Sequence, residues 1–498
     1  MNTKKIIKIN EKDNVVVALT DLTANDEIMP GLNVRTDIKK GHKIAVSSVK
    51  AGEEIIKYGE IIGIASVDIF PGDWVHSHNL KTSLDKTFSY KYEQIKKSDI
   101  KSDAQSDIPT FYGYPRDNGL VGTRNDIWVI PTVGCVNKTA EKLAQTARDR
   151  NYKGIDDVVA LTHPYGCSQM GSDHETTKQL LASLTKNPNV AGVLIVALGC
   201  ENITIKEFKE ALGVYDENKI KFLITQESDE ITIGNELINE LAQINSAERK
   251  KVPVSKLTLG LKCGGSDAFS GITANPLLGV LTTKHINFGG SAVLTEIPET
   301  FGAEHILMNY AKSQSVFDEI VKTVEDFKDY YISHNQVVYE NPSPGNKEGG
   351  ITTLEEKSLG CITKGGNNTV IAVYPYAQSL DNNTDNTGLI LLNGPGNDIV
   401  AVTALTAIGA NVILFTTGRG TPLGAPLPTV KISTNNELAT SKAGWIDFNA
   451  GVLLEGKDIF ELADELYDEI IDIASGKKTK NEQNGYKEIA IWKEGVTL

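Results

Sequence analysis

Short apolar runs that break off into glycine and small polar residues recur through this sequence, and the clearest is 257–279, LTLGLKCGGSDAFSGITANPLLG. Its apolar start predicts a buried strand, and Cys263, Gly264, Gly265, Ser266 and Asp267 predict a tight loop leading into a helix. In α/β proteins ligands bind at such strand ends. Gly264 and Gly265 let backbone amides approach a bound group, while Cys263 and Asp267 add a soft ligand and a charge. The plainer alternative is a strand-to-helix turn with a Ser or Asp cap.

The same design repeats upstream. DIWVIPT (126–132) predicts a strand ending at Gly134 and Cys135, then a helix from Lys138 to about Arg150. DVVALT (157–162) predicts a second strand, ending in His163 to Ser168 and followed by a helix through Leu184. Val190 to Leu198 predicts a third, ending in Gly199, Cys200 and Glu201, and Ile220 to Thr225 a fourth, before a helix over 230–243. Downstream, the pattern predicts a strand over Ser291 to His305 and a helix from about Val316 to Ser333. Residues 340–359 carry enough Gly and Pro to predict an irregular loop, and two strand–loop–helix units starting at Gly388 and Asn411 follow.

The first 92 residues read differently. Turns around Gly41, Gly52 and Gly72 separate short β-like runs, which predicts a compact β domain. It closes on His76 and His78, whose i, i+2 spacing on a strand would place both on one face. Residues 93–110, rich in Lys, Ser and Asp, predict a linker. The chain thus divides into a β domain (1–92), the linker, a central α/β domain (111–250) and a C-terminal parallel-sheet domain (251–498).

Composition narrows the function. A net charge of -14 argues against nucleic acid as a partner, and no apolar run is long enough to span a bilayer. MNTKKIIKIN turns polar too soon for a signal peptide, so a cytoplasmic protein is expected. Five cysteines do not make a secreted disulfide framework. Four of them, Cys135, Cys167, Cys200 and Cys263, each follow an apolar strand next to glycine, which predicts that two or more line one site. His163, Asp173, His174, Glu201, Asp267, Glu296 and Glu299 sit in the same loops. Such a mixed donor set suits iron(II), manganese or zinc, although each residue taken singly is a common cap or turn residue. Arg419 and, with a weaker setting, Arg124 are candidates to pair with a carboxylate. NGPGND (393–398) is neither a dinucleotide fingerprint nor a P-loop, which counts against an NAD(P)-dependent oxidoreductase.

The segments TVGCVN (132–137), HPYGCSQ (163–169), LGCEN (198–202), CGGSDAFSGITANPLLG (263–279), TEIPETFGAEH (295–305), ENPSPGNKEGGITTLEEKSLGC (340–361) and FTTGRGTPLGAPLPTVKI (415–432) resemble the altronate and galactarate dehydratase family. The resemblance implies an α/β protein with a small N-terminal β-clip (SAF-like) domain, a central dimerising domain, hence a homodimer, and a C-terminal variant of the Rossmann fold. It implies a hydro-lyase of hexuronate catabolism that converts a sugar acid, D-altronate or alternatively galactarate, to a 2-keto-3-deoxy acid. A non-catalytic sugar-acid-binding protein on the same scaffold is the rival. The cofactor implied is Fe2+, with Mn2+ as alternative and an iron–sulphur cluster left open. The expected roles are His76, His78, Cys167 and Cys200 as metal ligands, with Cys135 and Cys263 as further candidates. His163, His174 and Glu299 are expected as acid and base, and Lys262, Asp267, Arg419 and Arg124 as substrate-binding residues.

Overall fold

The computed structural model describes residues 5–84, 90–95, 108–339, 341–380 and 386–497. Most of the expected linker, 96–107, lies outside the described residues. The fold is mixed α/β. Its N-terminal part is built only from short antiparallel strands, in two main sheets. Gly41, Gly52 and Gly72 turn these strands at φ of 86° to 88°, a region open to glycine without strain.

The central part carries four parallel strands in the order Val158–Ala160, Asp126–Pro131, Val190–Ala197, Ile220–Ile224. The C-terminal part carries seven, all parallel: Val370–Tyr374, Gly388–Leu392, Ser291–Leu294, Thr258–Cys263, Val412–Thr417, Thr429–Ser433 and Phe448–Asn449. Parallel strands covered on both faces read as continuous apolar runs, which is why these were visible in the sequence. Helices Ser172–Leu184 and Asp398–Ile408 lie between the two sheets, and Trp128, Leu180, Leu405 and Ile413 belong to one shared core.

From Thr258–Cys263 the chain first builds the sheet on one side and only later, at Val412, on the other. That reversal opens a crevice beyond the carboxyl ends of the central strands. Two segments near it depart from the sequence reading. The strand expected to reach His305 stops at Leu294; Glu296 takes a left-handed φ of 70°, and a 3-10 turn, Ile297–Glu299, contains Pro298. The loop expected over 340–359 holds two helices, Pro344–Glu348 and Leu354–Ile362. Ser343 caps the first and Thr353 the second, each through its side-chain oxygen.

The N-terminal part sits on that helical segment. Lys43 Nζ donates to Gly350 O (2.9 Å), Thr352 Oγ1 (2.8 Å) and Glu356 Oε2 (2.7 Å), and Lys57 Nζ donates to Glu356 Oε1 (2.8 Å). All three charged groups are buried, and the two ammonium groups outweigh burial to hold Glu356 at about 2. No helix among the described residues is long and apolar enough to cross a membrane.

Candidate active site at the carboxyl edge of the seven-stranded sheet

The Thr258–Cys263 strand ends in Lys262 and Cys263, both buried. Lys262 Nζ bonds Glu296 Oε1 and Asp398 Oδ1, the latter at 2.8 Å. Glu296 also accepts from Cys263 N (3.1 Å) and Lys364 Nζ (3.3 Å). Its left-handed backbone turns the chain so that Glu299, three residues on, meets the same strand end. Asp398 opens helix Asp398–Ile408 behind the cap Asn397, and only glycine fits opposite it: a Cβ on Gly264 would lie 2.6 Å from Asp398 Oδ2.

Above these pairs, Cys263 Sγ and Cys361 Sγ are 3.2 Å apart and lie 3.4 and 3.3 Å from Glu299 Oε2. Among the described residues this is the one set of three His, Cys or carboxylate groups whose ligand atoms lie within 4.8 Å of one another. The second Glu299 oxygen accepts from Lys357 Nζ at 2.8 Å. Burial pushes Glu299 up, but Lys357, Lys262 and Lys364 outweigh it and hold the carboxyl well below its usual range. Lys357 is raised in turn: Glu299 outweighs its burial. The bond with Cys263, together with burial, pushes the Cys361 thiol well up.

Three carboxylates (Glu296, Glu299, Asp398) thus face three ammonium groups (Lys262, Lys357, Lys364), neutral while the thiols keep their protons. Two thiolates with one divalent ion would leave the set neutral as well. Two soft donors and one carboxylate suit a borderline ion such as iron(II) or zinc and leave coordination positions open. On the donor set and the charge balance, these residues fit a divalent metal.

Glu299 and Lys357 line a cleft of about 610 Å³ together with Gly264, Gly265, Lys347 and Asp398, a volume in the usual range for small-molecule sites. A separate cavity of about 550 Å³ touches Val190, Thr258 and Asn411, at the opposite, amino ends of the strands. It lacks the charged groups described above, so the cleft is the stronger candidate for chemistry.

The remaining candidates fall in three groups. At the rim, Arg419 pairs with Glu348 (3.1 Å) and donates to Gly345 O (3.1 Å), half exposed. His76 lies in the turn after Trp74–Val75; its Nε2 is 2.9 Å from Lys347 O, and burial lowers it to about 4. His78 is exposed in the same turn, and both rings pack against Trp74; because the strand stops at Val75, the two do not share a strand face.

Asp267 and Arg124 are tied up within the chain. Asp267, raised by burial, accepts from Thr434 Oγ1 (2.9 Å), Asn435 Nδ2 (3.1 Å) and Ser270 Oγ (3.1 Å), which makes it an anchor for its loop. Arg124 forms a bidentate pair with Glu482 at 2.7 and 2.9 Å and spends its other donors on Thr123, Ile473 and Lys477 carbonyls, leaving none for a substrate.

The others belong to the central sheet. His163 is buried, with Nε2 2.8 Å from Pro131 O and Nδ1 accepting from Tyr165 N at 3.2 Å, so both ring nitrogens are occupied. His174 faces Glu207 at 3.6 Å. Cys135, Cys167 and Cys200 lie in the segments that follow three strands of that sheet. Of the expected set, the structure brings together Lys262, Cys263 and Glu299. The sequence reading passed over Cys361, Lys357 and Lys364; the capping pattern Thr353-x-x-Glu356 was the available signal, since it starts the helix on which Lys357 and Cys361 stand four residues apart.

Three family models match the chain: the altronate/galactarate dehydratase SAF domain over residues 4–83, the second domain of D-galactarate dehydratase/altronate hydrolase over 113–246, and the D-galactarate/altronate dehydratase C-terminal domain over 254–497. Altronate dehydratase of Bacillus subtilis (strain 168) is 47% identical over 99% of this chain and 100% of its own length. Its Escherichia coli (strain K12) counterpart is 45% identical over 99% of both. The chain belongs to the altronate/galactarate dehydratase family. It is therefore an enzyme, a dehydratase of the hydro-lyase class. A further member, galactarate dehydratase (L-threo-forming) of Escherichia coli (strain K12), is 31% identical over 98% of this chain and 96% of its own length. The candidate site draws Cys263, Glu296, Glu299, Lys357 and Cys361 from three of the segments that carried the family resemblance.

Proposed function

We propose that this dehydratase converts D-altronate to 2-keto-3-deoxy-D-gluconate, as a step of hexuronate catabolism, in the cleft above Glu299. The higher identity to the two altronate dehydratases than to the galactarate dehydratase supports this substrate. The observation that carries the site is the buried Cys263–Glu299–Cys361 set with Lys357 beside it.

The proton on C2 of an aldonate is barely acidic, because its removal puts a second negative charge on the carboxylate as an enediolate. Cys263, Cys361 and Glu299 would hold ferrous iron, which when bound supplies a Lewis acid for that charge. The Lys357 ammonium adds a fixed positive charge, and the backbone of Gly264 and Gly265 lines the cleft without side chains, so a carboxylate can come close. Asp398 is the carboxylate in the cleft that is not part of the metal set, and it takes the C2 proton. Lys347, which also lines the cleft, gives a proton to the 3-hydroxyl, which departs as water. The C2–H and C3–O bonds break, the C2=C3 bond forms, and the enol tautomerises to the 2-keto acid.

The test is anaerobic turnover with added ferrous iron, offering D-altronate and galactarate separately and assaying the 2-keto-3-deoxy product. Iron-dependent product from D-altronate is expected. Product from galactarate alone would move the substrate, and product without any metal would remove the ion from the scheme.

A further inference from the structure

The Cys135, Cys167 and Cys200 thiols take no part in the cleft. Their strands, Asp126–Pro131, Val158–Ala160 and Val190–Ala197, are neighbours, with the first in the middle, so the three loops leave one edge side by side. Hydrogen bonds join these loops: Gly134 N to Tyr165 O (2.9 Å), Asn137 Nδ2 to His163 O (2.9 Å), Ser168 N to Asn202 Oδ1 (2.8 Å) and Thr132 Oγ1 to Glu201 Oε1 (2.6 Å). The approach is so close that a Cβ on Gly166 would lie 1.9 Å from Thr132 O.

The harder donors of these loops are already committed. Both His163 nitrogens are occupied, and Glu201 also accepts from Leu198 N and Gly199 N. Sulfur is left. Free cysteine is among the most buried residue types, yet Cys135 and Cys200 are exposed and Cys167 is half-buried. Next to Cys167, Ser168 holds a left-handed φ of 57°, a strain that clusters at functional sites. The thiols do not form a compact set such as a single ion needs. Ligands bound to different irons of a cluster stand farther apart than ligands of one ion, so a cluster does not require the compact set that a single ion needs.

We propose that Cys135, Cys167 and Cys200 bind three irons of a [4Fe–4S] cluster, with the fourth iron free of protein thiolate. Each thiol gives up its proton on ligation, and sulfide and iron, two ferrous and two ferric ions for a 2+ core, come from outside the chain. This second iron site is independent of the cleft and of the reaction proposed there.

The test uses the full chain, purified anaerobically and also reconstituted with equal amounts of ferrous and ferric iron and with sodium sulfide in the presence of a thiol. Acid-labile sulfide and visible charge-transfer absorbance are then measured. About four sulfides per chain are expected in the parent and in a Cys263→Ser/Cys361→Ser variant. A drop of at least about tenfold is expected in Cys167→Ala and in the triple Cys135→Ala/Cys167→Ala/Cys200→Ala variant, with circular dichroism confirming that both fold. A parent without labile sulfide after both treatments overturns the proposal, as does parental sulfide in the triple variant. Turnover is read separately: iron-dependent product without sulfide sinks the cluster alone, and sulfide without product sinks the proposed reaction alone.

Discussion

The two parallel sheets end alike and are finished differently. Both place cysteine at their carboxyl edge: Cys263, joined by Cys361 from a helix, at one, and Cys135, Cys167 and Cys200, in the segments after three adjacent strands, at the other. At the seven-stranded edge the thiols are buried, three lysines are matched by three carboxylates, and the group opens into a cleft. At the four-stranded edge the thiols are exposed or half-buried, and the histidine and the carboxylate are spent on bonds to the backbone and to Thr132 within that edge. A strand end is therefore an opportunity, and what makes it a candidate for acid–base chemistry is buried charge brought in from elsewhere in the chain. Here much of that charge comes from helix Leu354–Ile362 and the turn after it, which supply Lys357 and Lys364.

The comparison is sharpest where buried charge is removed. Lys262→Ala leaves Glu296 and Asp398 without their shared partner, and an unfolding loss on the order of 3–5 kcal/mol is expected by denaturant titration. Lys357→Ala should keep the fold and cut kcat by about 10²- to 10³-fold, the usual cost of one fixed charge at a developing oxyanion, read by steady-state kinetics.

Acid should act through Glu356, which seats the N-terminal part on the site. Its folded value of about 2 lies below the ordinary 4.5, so the stabilisation is present above about 4.5 and is lost as pH falls through 2. A shift of that size corresponds to about 3 kcal/mol; Glu356→Gln should flatten the stability profile across that window. Within the triad the two lysines diverge: Lys43, pressed by burial and by Lys57, falls to about 8 while Lys57 rises, as expected when two ammonium groups share one carboxylate. The smallest effect belongs to the other edge. His174→Ala removes only a partly exposed pair with Glu207 and should change stability by no more than about 0.5 kcal/mol.

The sheets were legible because strands such as Val190–Ala197 and Val412–Thr417 are buried throughout and read as unbroken apolar runs. Cys263 and Glu299 were legible because they follow such runs. Cys361 and Lys357 were not. Every residue of helix Leu354–Ile362 is buried, with Glu355, Glu356 and Lys357 held by charged or hydroxyl partners, so the helix shows no polar face and its 3.6-residue period disappears. The Gly and Pro residues of 342–350 then dominated the reading, although Ser343 and Pro344 start a helix. Arg124 misled for the converse reason: a guanidinium in a loop suggests a ligand, and only the fold brings Glu482 to it from the far end of the chain.

The central claim is that dehydration depends on the thiol–carboxylate set beneath the cleft. It is tested most directly by kcat/KM for D-altronate in Cys361→Ser, anaerobic and with saturating ferrous iron. Serine keeps the size and replaces one soft donor, so a loss of at least about 100-fold with unchanged circular dichroism is expected. Parental kcat/KM in that variant would contradict the account and move the chemistry away from Cys263, Glu299 and Cys361.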